Sequence, residues 1–360
     1  MRYSTYIGID THSTKNEVCA LVIETGEIQN ETFSDDPNQI IRWINENDLP
    51  RPIRCVYEAG PTGYSLARTL ISAGFECVVA ATSKLPKRHD RKKNDKIDAE
   101  WLARLLSSGA IRETHIPTLQ EESLQHLSRL RNETMNDLKR AKQRVASFLL
   151  LTKTEYSLTK RRWSKKFREW AEEIEFERPE DTFVFRLKYA EVIRLEERLS
   201  YIENHIVRII EDDERLLTLA KRLMCIYGVG KVAAFTLVCE INDFARFKNG
   251  RSFASFVGLT PSEHSTGKRR ITGRITKTGN GYLRSIIIEC ANIYARCIPV
   301  VRHEDESVPE NVRAKADKCS KRLKKRREYL IEKGLSNNKA KVAIARELCE
   351  WVYWIATLPA

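Results

Sequence analysis

A strand that is apolar to its end and then carries a carboxylate constrains this chain more than any other feature. Tyr6-Ile7-Gly8-Ile9-Asp10-Thr11-His12 reads as a buried strand, with Asp10 where the strand runs out. An aspartate is costly in that setting unless something positive sits on it. Three more acids, Glu58, Asp95 and Asp98, follow at places where a metal site can use them. A fold that accepts Asp10 must therefore bring opposite charge to the end of this strand.

The next hundred residues alternate strand and helix patterns. Glu17–Glu24 reads as a second strand, followed by the turn Thr25-Gly26-Glu27. Residues 38–47 have helical spacing. Ile53–Glu58 is another strand, ended by Ala59-Gly60-Pro61. A helix over 64–73 closes at Gly74, and 75–80 is a further strand. Such alternation implies an α/β domain whose sheet has parallel pairs, here taken as residues 1–115. A basic run, with Lys87, Arg88, Arg91, Lys92 and Lys93, precedes a helix over 95–106. Asp95 and Asp98 are three apart and project from one side of it. Asp98 shares a stripe with Leu102 and Leu105, which turns the acids toward the protein body.

Residues 116–215 change character, and glycine vanishes between 121 and 215. Val192, Leu195, Leu199, Ile202, Ile206 and Ile209 step by three and four. Two long helices forming an antiparallel coiled-coil arm or a dimer seam are expected. Between them, Arg161, Arg162, Trp163, Lys165 and Lys166 interleave cations with aromatics. That pattern suits a nucleic-acid backbone plus base stacking, or a solvated helix whose aromatics pack on the coil.

Residues 216–300 read as a second compact, mainly helical unit. Gly228-Val229-Gly230-Lys231 separates two apolar helices. It reads either as a plain tight turn or as a helix-hairpin-helix-like element whose backbone N–H groups approach a phosphate. Beyond Gly258-Leu259-Thr260-Pro261 lies a polar loop through Ser262, His264 and Ser265, then Lys268, Arg269, Arg270, Arg274 and Lys277. A serine hydroxyl needs a base, a metal or nearby cations to act as a nucleophile. This ground suits a DNA phosphate, although a Ser-Thr-Gly turn is usually just a turn. Residues 301–360 supply a linker, a strongly basic stretch and an amphipathic helix expected to dock on a core.

Charge sets the partner class. The 62 Lys+Arg residues outnumber 49 Asp+Glu, a net +13, and the cations cluster. A polyanion, nucleic acid first, is the expected partner. No apolar run nears the ~20 residues of a membrane span, and no signal peptide is evident, so no membrane partner is expected. The nine cysteines are scattered, which argues against zinc fingers and disulfides and fits a reducing cytoplasm.

Four carboxylates together repel one another unless divalent cations neutralise them. Oxygen ligands select Mg²⁺, with Mn²⁺ as the alternative. Two such ions ~4 Å apart can clamp the attacking and leaving oxygens of a phosphodiester exchange. Asp10 in mid-sheet, Glu58 at a strand end and an aspartate pair opening a later helix is an RNase H-like (RuvC-like) arrangement. Singly, Asp95 could serve only to start its helix and Glu58 only to cap a turn.

Several segments together resemble a known family. They are Tyr6-Ile7-Gly8-Ile9-Asp10, Glu58-Ala59-Gly60-Pro61-Thr62-Gly63, Lys93-Asn94-Asp95-Lys96-Ile97-Asp98-Ala99 and Gly258-Leu259-Thr260-Pro261-Ser262-Glu263-His264-Ser265-Thr266-Gly267. The family is the transposases of insertion-sequence family 110, DEDD recombinases related to the Piv and MooV invertases. Ile226-Tyr227-Gly228-Val229-Gly230 and Asn338–Ala343 are similar too. The resemblance covers roughly 1–110 and 216–350; the middle coil matches in character only.

The resemblance implies a RuvC-like domain working with a transposase domain that carries a serine nucleophile. It makes Asp10, Glu58, Asp95 and Asp98 metal ligands and Ser265 the nucleophile, with Thr266 and Ser262 as neighbouring alternatives. It also implies a 5′-phosphoserine link to donor and target DNA, a structured bridge RNA as guide, and dimers that pair into tetramers through a Holliday junction. Action in a bacterial or archaeal cytoplasm, at the nucleoid, is expected. Whether Ser265 serves its own chain's acids or a partner's is left open. Two competing readings stand beside this one. The first is a metal-dependent nuclease, resolvase or invertase using water without a guide RNA. The second is a non-enzymatic nucleic-acid-binding protein.

Overall fold

The computed structural model describes residues 3–86, 94–156, 162–263, 272–295 and 305–359. The chain divides into two units, Met1–Leu119 and Gln120–Ala360.

In the first unit the Ile7/Ile9 strand, β1 (Thr5–Thr11), is the sheet's third strand. The others are β2 (Lys15–Val22), β3 (Ile28–Ser34), β4 (Ile53–Glu58), β5 (Glu76–Ala80) and β6 (Glu113–Thr114). Their order is β3-β2-β1-β4-β5-β6. β1, β4 and β5 run parallel, whereas β2, β3 and β6 pair antiparallel with their neighbours. Parallel strands are normally covered on both faces, and this is the case here. One face carries α1 (Pro37–Glu46) and α2 (Ser65–Ser72), whose Ile40, Ile44, Leu66 and Leu70 bury Ile7, Ile9 and Tyr57. The other carries α3 (Asp95–Ser107), whose Leu102 and Leu106 cover Val56 and Val78. Each such leucine contributes about 2 kcal/mol through burial. This mixed α/β architecture is compatible with the RNase H-like expectation. The sequence reading lacks β3 because Gln29-Asn30-Glu31-Thr32 is polar and largely exposed at the sheet edge.

Gly8 sets how close α3 lies. A Cβ there would come within 2.0 Å of the Ala99 carbonyl oxygen and 2.6 Å of the Ala103 nitrogen. Only a hydrogen at that position lets the helix backbone rest on the strand.

The second unit begins with two long helices, α4 (Leu119–Leu151) and α6 (Pro179–Asp212). They run antiparallel, so that Arg131 meets Glu203 at 2.6 Å and Lys142 meets Glu196 at 2.6 Å. Arg168, on the short α5 (Lys165–Glu173), grips Glu196 with two hydrogen bonds. Those cations hold the Glu196 carboxyl below its ordinary range, although its partial burial pulls the other way. The buried stripe of α6 runs Val192, Leu195, Leu199, Ile202, Ile206, Ile210. Its last member is Ile210, not the Ile209 that a strict heptad selects. A 3.6-residue turn drifts relative to a 3.5-residue repeat, and here the drift has accumulated to one residue.

Among the described residues, six shorter helices complete the unit: α7 (Glu214–Met224), α8 (Lys231–Ile241), α9 (Gly250–Val257), α10 (Gly281–Asn292), α11 (Glu310–Glu332) and α12 (Asn337–Thr357). They share one core, in which Ala340, Ile344, Leu348, Val352 and Ile355 of α12 are fully buried. Between α9 and α10 lies a two-stranded antiparallel ladder, β7 (Pro261–Glu263) with β8 (Thr272–Ile275). The polar-loop reading contains no such ladder. Its strands are three and four residues long, too short for a periodic signal. The described cysteines are free thiols, all buried except Cys225. Among the described residues no helix is long and apolar enough to cross a membrane.

Candidate metal centre and serine-bearing hairpin

The sheet register sets two of the acids on neighbouring strand ends. Ile9 pairs with Tyr57 across the parallel β1–β4 ladder, so Asp10 and Glu58 end neighbouring strands. Gly8 and Val56 face α3, and Asp10 and Glu58, two residues further on, share that face. A hydrogen bond of 3.1 Å between the Thr11 and Thr62 hydroxyls ties the two strand ends together. α3 starts over the same spot. Asn94 caps it, its side chain accepting from the Lys96 N–H at 3.2 Å, and Asp95 and Asp98 occupy its first turn. Acids there are favoured by the helix dipole, which is part of why two of them can be tolerated.

Asp10, His12 and Asp95 each present one ligand atom, all within 4.8 Å of one another. His12 Nε2 lies 3.3 Å from Asp10 Oδ2 and 3.5 Å from Asp95 Oδ2. Lys15 Nζ lies 2.9 Å from Asp95 Oδ2 and 3.1 Å from Glu17 Oε1. Glu17 is nearly buried and accepts from the Thr32 hydroxyl at 2.8 Å. The Asp10 carboxyl is pushed above its ordinary range. Burial is the main cause, His12 opposes it, and Asp95 and Asp98 add to it. The centre is a set of mutually repelling carboxylates partly offset by one ammonium and one imidazole.

That donor set fits a hard divalent cation, which favours carboxylate oxygens and tolerates one imidazole. The sequence reading does not assign His12, Lys15 or Glu17 to the metal centre. A signal for two of them exists: His12 is two residues beyond Asp10 and so shares its strand face, and Glu17 is the antiparallel partner of Asp10.

The basic run is not part of this geometry, since Lys87, Arg88, Arg91, Lys92 and Lys93 lie outside the described residues. So do Ser265, Lys268, Arg269, Arg270 and Arg161. What is described is the chain on either side of the Ser265 segment. β7 ends two residues before Ser265. Below the ladder, the Thr276 N–H donates to the Thr260 carbonyl at 2.9 Å and the Lys277 N–H to the Gly258 carbonyl at 3.2 Å. Gly258 and Gly279 both have positive φ. A Cβ on either would lie about 2 Å from a backbone oxygen of the opposite limb. Arg284 locks the base from α10, donating to the carbonyls of Val257 at 2.9 Å and Lys277 at 3.2 Å. Arg274 and Lys277 are exposed. The Ser262 hydroxyl donates to the Arg274 carbonyl at 3.1 Å.

The remaining candidates are scattered over the second unit. Gly228 has φ +94°, and a Cβ there would strike Ile293 and the Cys290 carbonyl, so this glycine is required for packing. Gly230 opens α8 with no side-chain cap, leaving N–H groups of its first turn to other acceptors. Lys231 is half exposed, 3.4 Å from Glu211. Trp163 packs against Phe167 at 5.0 Å and beneath the Lys142 ammonium. Arg162, Lys165 and Lys166 are exposed.

Comparison with known proteins sets this geometry in a family. A DEDD transposase model of the IS110 type matches residues 7–153, and the model of the transposase IS116/IS110/IS902 family matches 220–304. A putative transposase, y4qE, of Sinorhizobium fredii is 33% identical over 98% of this chain and 88% of its own length. The chain belongs to the IS110 family of transposases. The transposase for insertion sequence element IS1533 of Leptospira borgpetersenii is 32% identical, over 71% of this chain and 75% of its own. That for IS1111A of Coxiella burnetii is 25% identical, over 81% and 74%. In this transposase the first family model spans all four acids and the second spans Gly228–Lys231 and the ladder. α11 and α12 lie beyond both.

Proposed function

We propose that this transposase is an RNA-guided DNA recombinase that cuts and rejoins strands through a covalent phosphoserine. The observation that carries the reading is the convergence at the end of β1. Asp10 meets Asp95 and senses Asp98, while Glu58 ends the neighbouring strand. Asp10, Glu58, Asp95 and Asp98 would hold Mg²⁺, or Mn²⁺, with His12 beside them. Bound there, the metal supplies neutralising charge for the phosphate oxygens as negative charge builds on them.

The chain's own groups do the rest. Ser265 Oγ attacks the scissile phosphorus and gives up its proton. The bond from phosphorus to the 3′ oxygen breaks, and that oxygen leaves as a 3′-hydroxyl. The 5′-phosphate stays on the serine until the 3′-hydroxyl of another strand displaces it and the serine regains its proton. Ser262 is the poorer alternative, because its hydroxyl is already engaged with the Arg274 carbonyl. Arg274 and Lys277, with Lys268, Arg269 and Arg270, suit the phosphate backbone. The uncapped start of α8 at Gly230 supports a helix-hairpin-helix-like contact with another phosphate. α4 and α6 form the coiled-coil arm through which dimers, and tetramers as pairs of dimers, would assemble on donor DNA, target DNA and a structured guide RNA.

Two measurements test this reading. Ser265→Ala should lose the protein–DNA adduct that survives denaturant, and lose strand exchange with it; cleavage at the wild-type rate would mean that water is the nucleophile. Guidance should show as one discrete RNA co-purifying with the protein. Sequencing that finds only random cellular RNA would remove the guide from the proposal.

A further inference from the structure

We infer that α11 and α12 form a separate polynucleotide site, which holds an unpaired strand by its phosphates and by a base stacked on Trp354. The inference rests on charge and shape, and does not depend on the phosphoserine chemistry.

α11 carries nine Lys/Arg against four Asp/Glu. Its Val312, Ala316, Cys319, Leu323 and Leu330 are buried in the core, so the cations fall on the outward faces. Lys318 and Arg322, and again Lys321 and Lys325, are four residues apart. Like charges at that spacing destabilise a helix. A helix that carries two such pairs on one face is matched to an anion from outside. Among the described residues, Glu347 pairs with this row, 2.9 Å from Arg322 and 3.9 Å from Arg326, and Asp317 and Glu350 also line the grooves described next.

The surface is also shaped. A groove of about 520 Å³ runs along α11 past Lys318, Lys321, Arg322 and Lys325. A second, also about 520 Å³, lies between α11 and α12 and shares Lys318 and Arg322 with the first. Arg346, Trp351 and Trp354 line this second groove. Trp354 is 40% exposed, which leaves part of its ring open to solvent. Trp351 is 7% exposed and meets it edge-on, with ring centroids 5.3 Å apart. The Trp351 indole N–H is buried and donates to no acceptor. Lys315 Nζ lies 5.7 Å from the Trp351 ring and 5.5 Å from the Trp354 ring. A row of cations leading to an open aromatic face matches a strand whose bases are free to stack. A duplex hides those faces, and an acidic peptide offers no flat ring.

The test uses the full chain and oligonucleotides bearing 5-iodouracil, as single-stranded DNA, single-stranded RNA and duplex DNA. They are photocrosslinked and the adducts mapped by mass spectrometry. Adducts on Trp354 or Trp351 are expected with single strands, at more than about tenfold the duplex yield. Either single strand supports the inference, and the relative yield of RNA and DNA names the natural source. Trp354→Ala should weaken capture at this site roughly tenfold, and Trp354→Phe should retain it. Lys321→Ala with Lys325→Ala, both exposed positions, should flatten the salt dependence of that adduct by about 0.7 for each phosphate no longer neutralised. Adducts confined to other segments, equal capture of duplex, or equal displacement by polyglutamate would each overturn the inference.

Discussion

Asp10→Asn should abolish strand cleavage, by about a thousandfold or more, while DNA binding persists and the melting temperature in metal-free buffer stays level or rises. Asparagine matches aspartate in size, so β1 and α3 keep their packing. What goes is the charge on a partly buried carboxylate of the cluster. Neutralising the transferring phosphate is worth several kcal/mol, which sets the scale of the loss. The stability sign follows from the same geometry. The Asp10 carboxylate is held above its ordinary pKa by burial and by Asp95 and Asp98, against the help of His12. Its charge therefore opposes folding when no cation is supplied. Cleavage rates across a Mg²⁺ titration, melting curves with and without EDTA, and DNA affinity measured in parallel separate the outcomes. Wild-type cleavage by the variant would remove Asp10 from the chemistry. A fall in the metal-free melting temperature would show that its role is structural.

Gly8→Ala should do the complementary damage. Its methyl would sit 2.0 Å from the Ala99 carbonyl oxygen and 2.6 Å from the Ala103 nitrogen, both backbone atoms that no rotamer change can move. α3 must lift from β1. The cost falls at the upper end of the range for an overpacked core, about 3 kcal/mol. Lifting α3 also carries Asp95 and Asp98 away from Asp10, so cleavage should fall even at temperatures where the variant remains folded. Circular dichroism melts and a cleavage assay well below the midpoint check both halves. An unchanged melt would mean that strand and helix do not touch as described.

The sequence is most informative where burial is two-sided. β1, β4, β5 and α3 announce themselves by apolar runs and by the leucine stripe that orients Asp98, and their order alone points to acids meeting at a sheet end. Edges and short ladders are silent. β3 is polar because one edge of it faces water, and β7 and β8 are held by backbone hydrogen bonds and by the glycines beneath them rather than by an apolar pattern. The polar neighbours of Asp10 escape a sequence reading for a different reason. Lys15 and Glu17 reach the centre through the β1–β2 hairpin, whose register sets Glu17 opposite Asp10 and which a reading of each strand by itself does not supply. Ile210 in place of Ile209 shows the limit of an integer repeat on a helix of 3.6 residues per turn.

If these acids form the centre as proposed, the way they are gathered also ties activity to the order of synthesis. Asp10 emerges with the first strand, Glu58 with the fourth, and Asp95 and Asp98 only with the helix that follows the fifth. A ribosome-bound fragment that stops before α3 would hold one half of that proposed centre and lack the other. A full-length chain whose α3 has not yet docked is in the same state. On that proposal, unfinished and unfolded copies lack the assembled centre by topology alone.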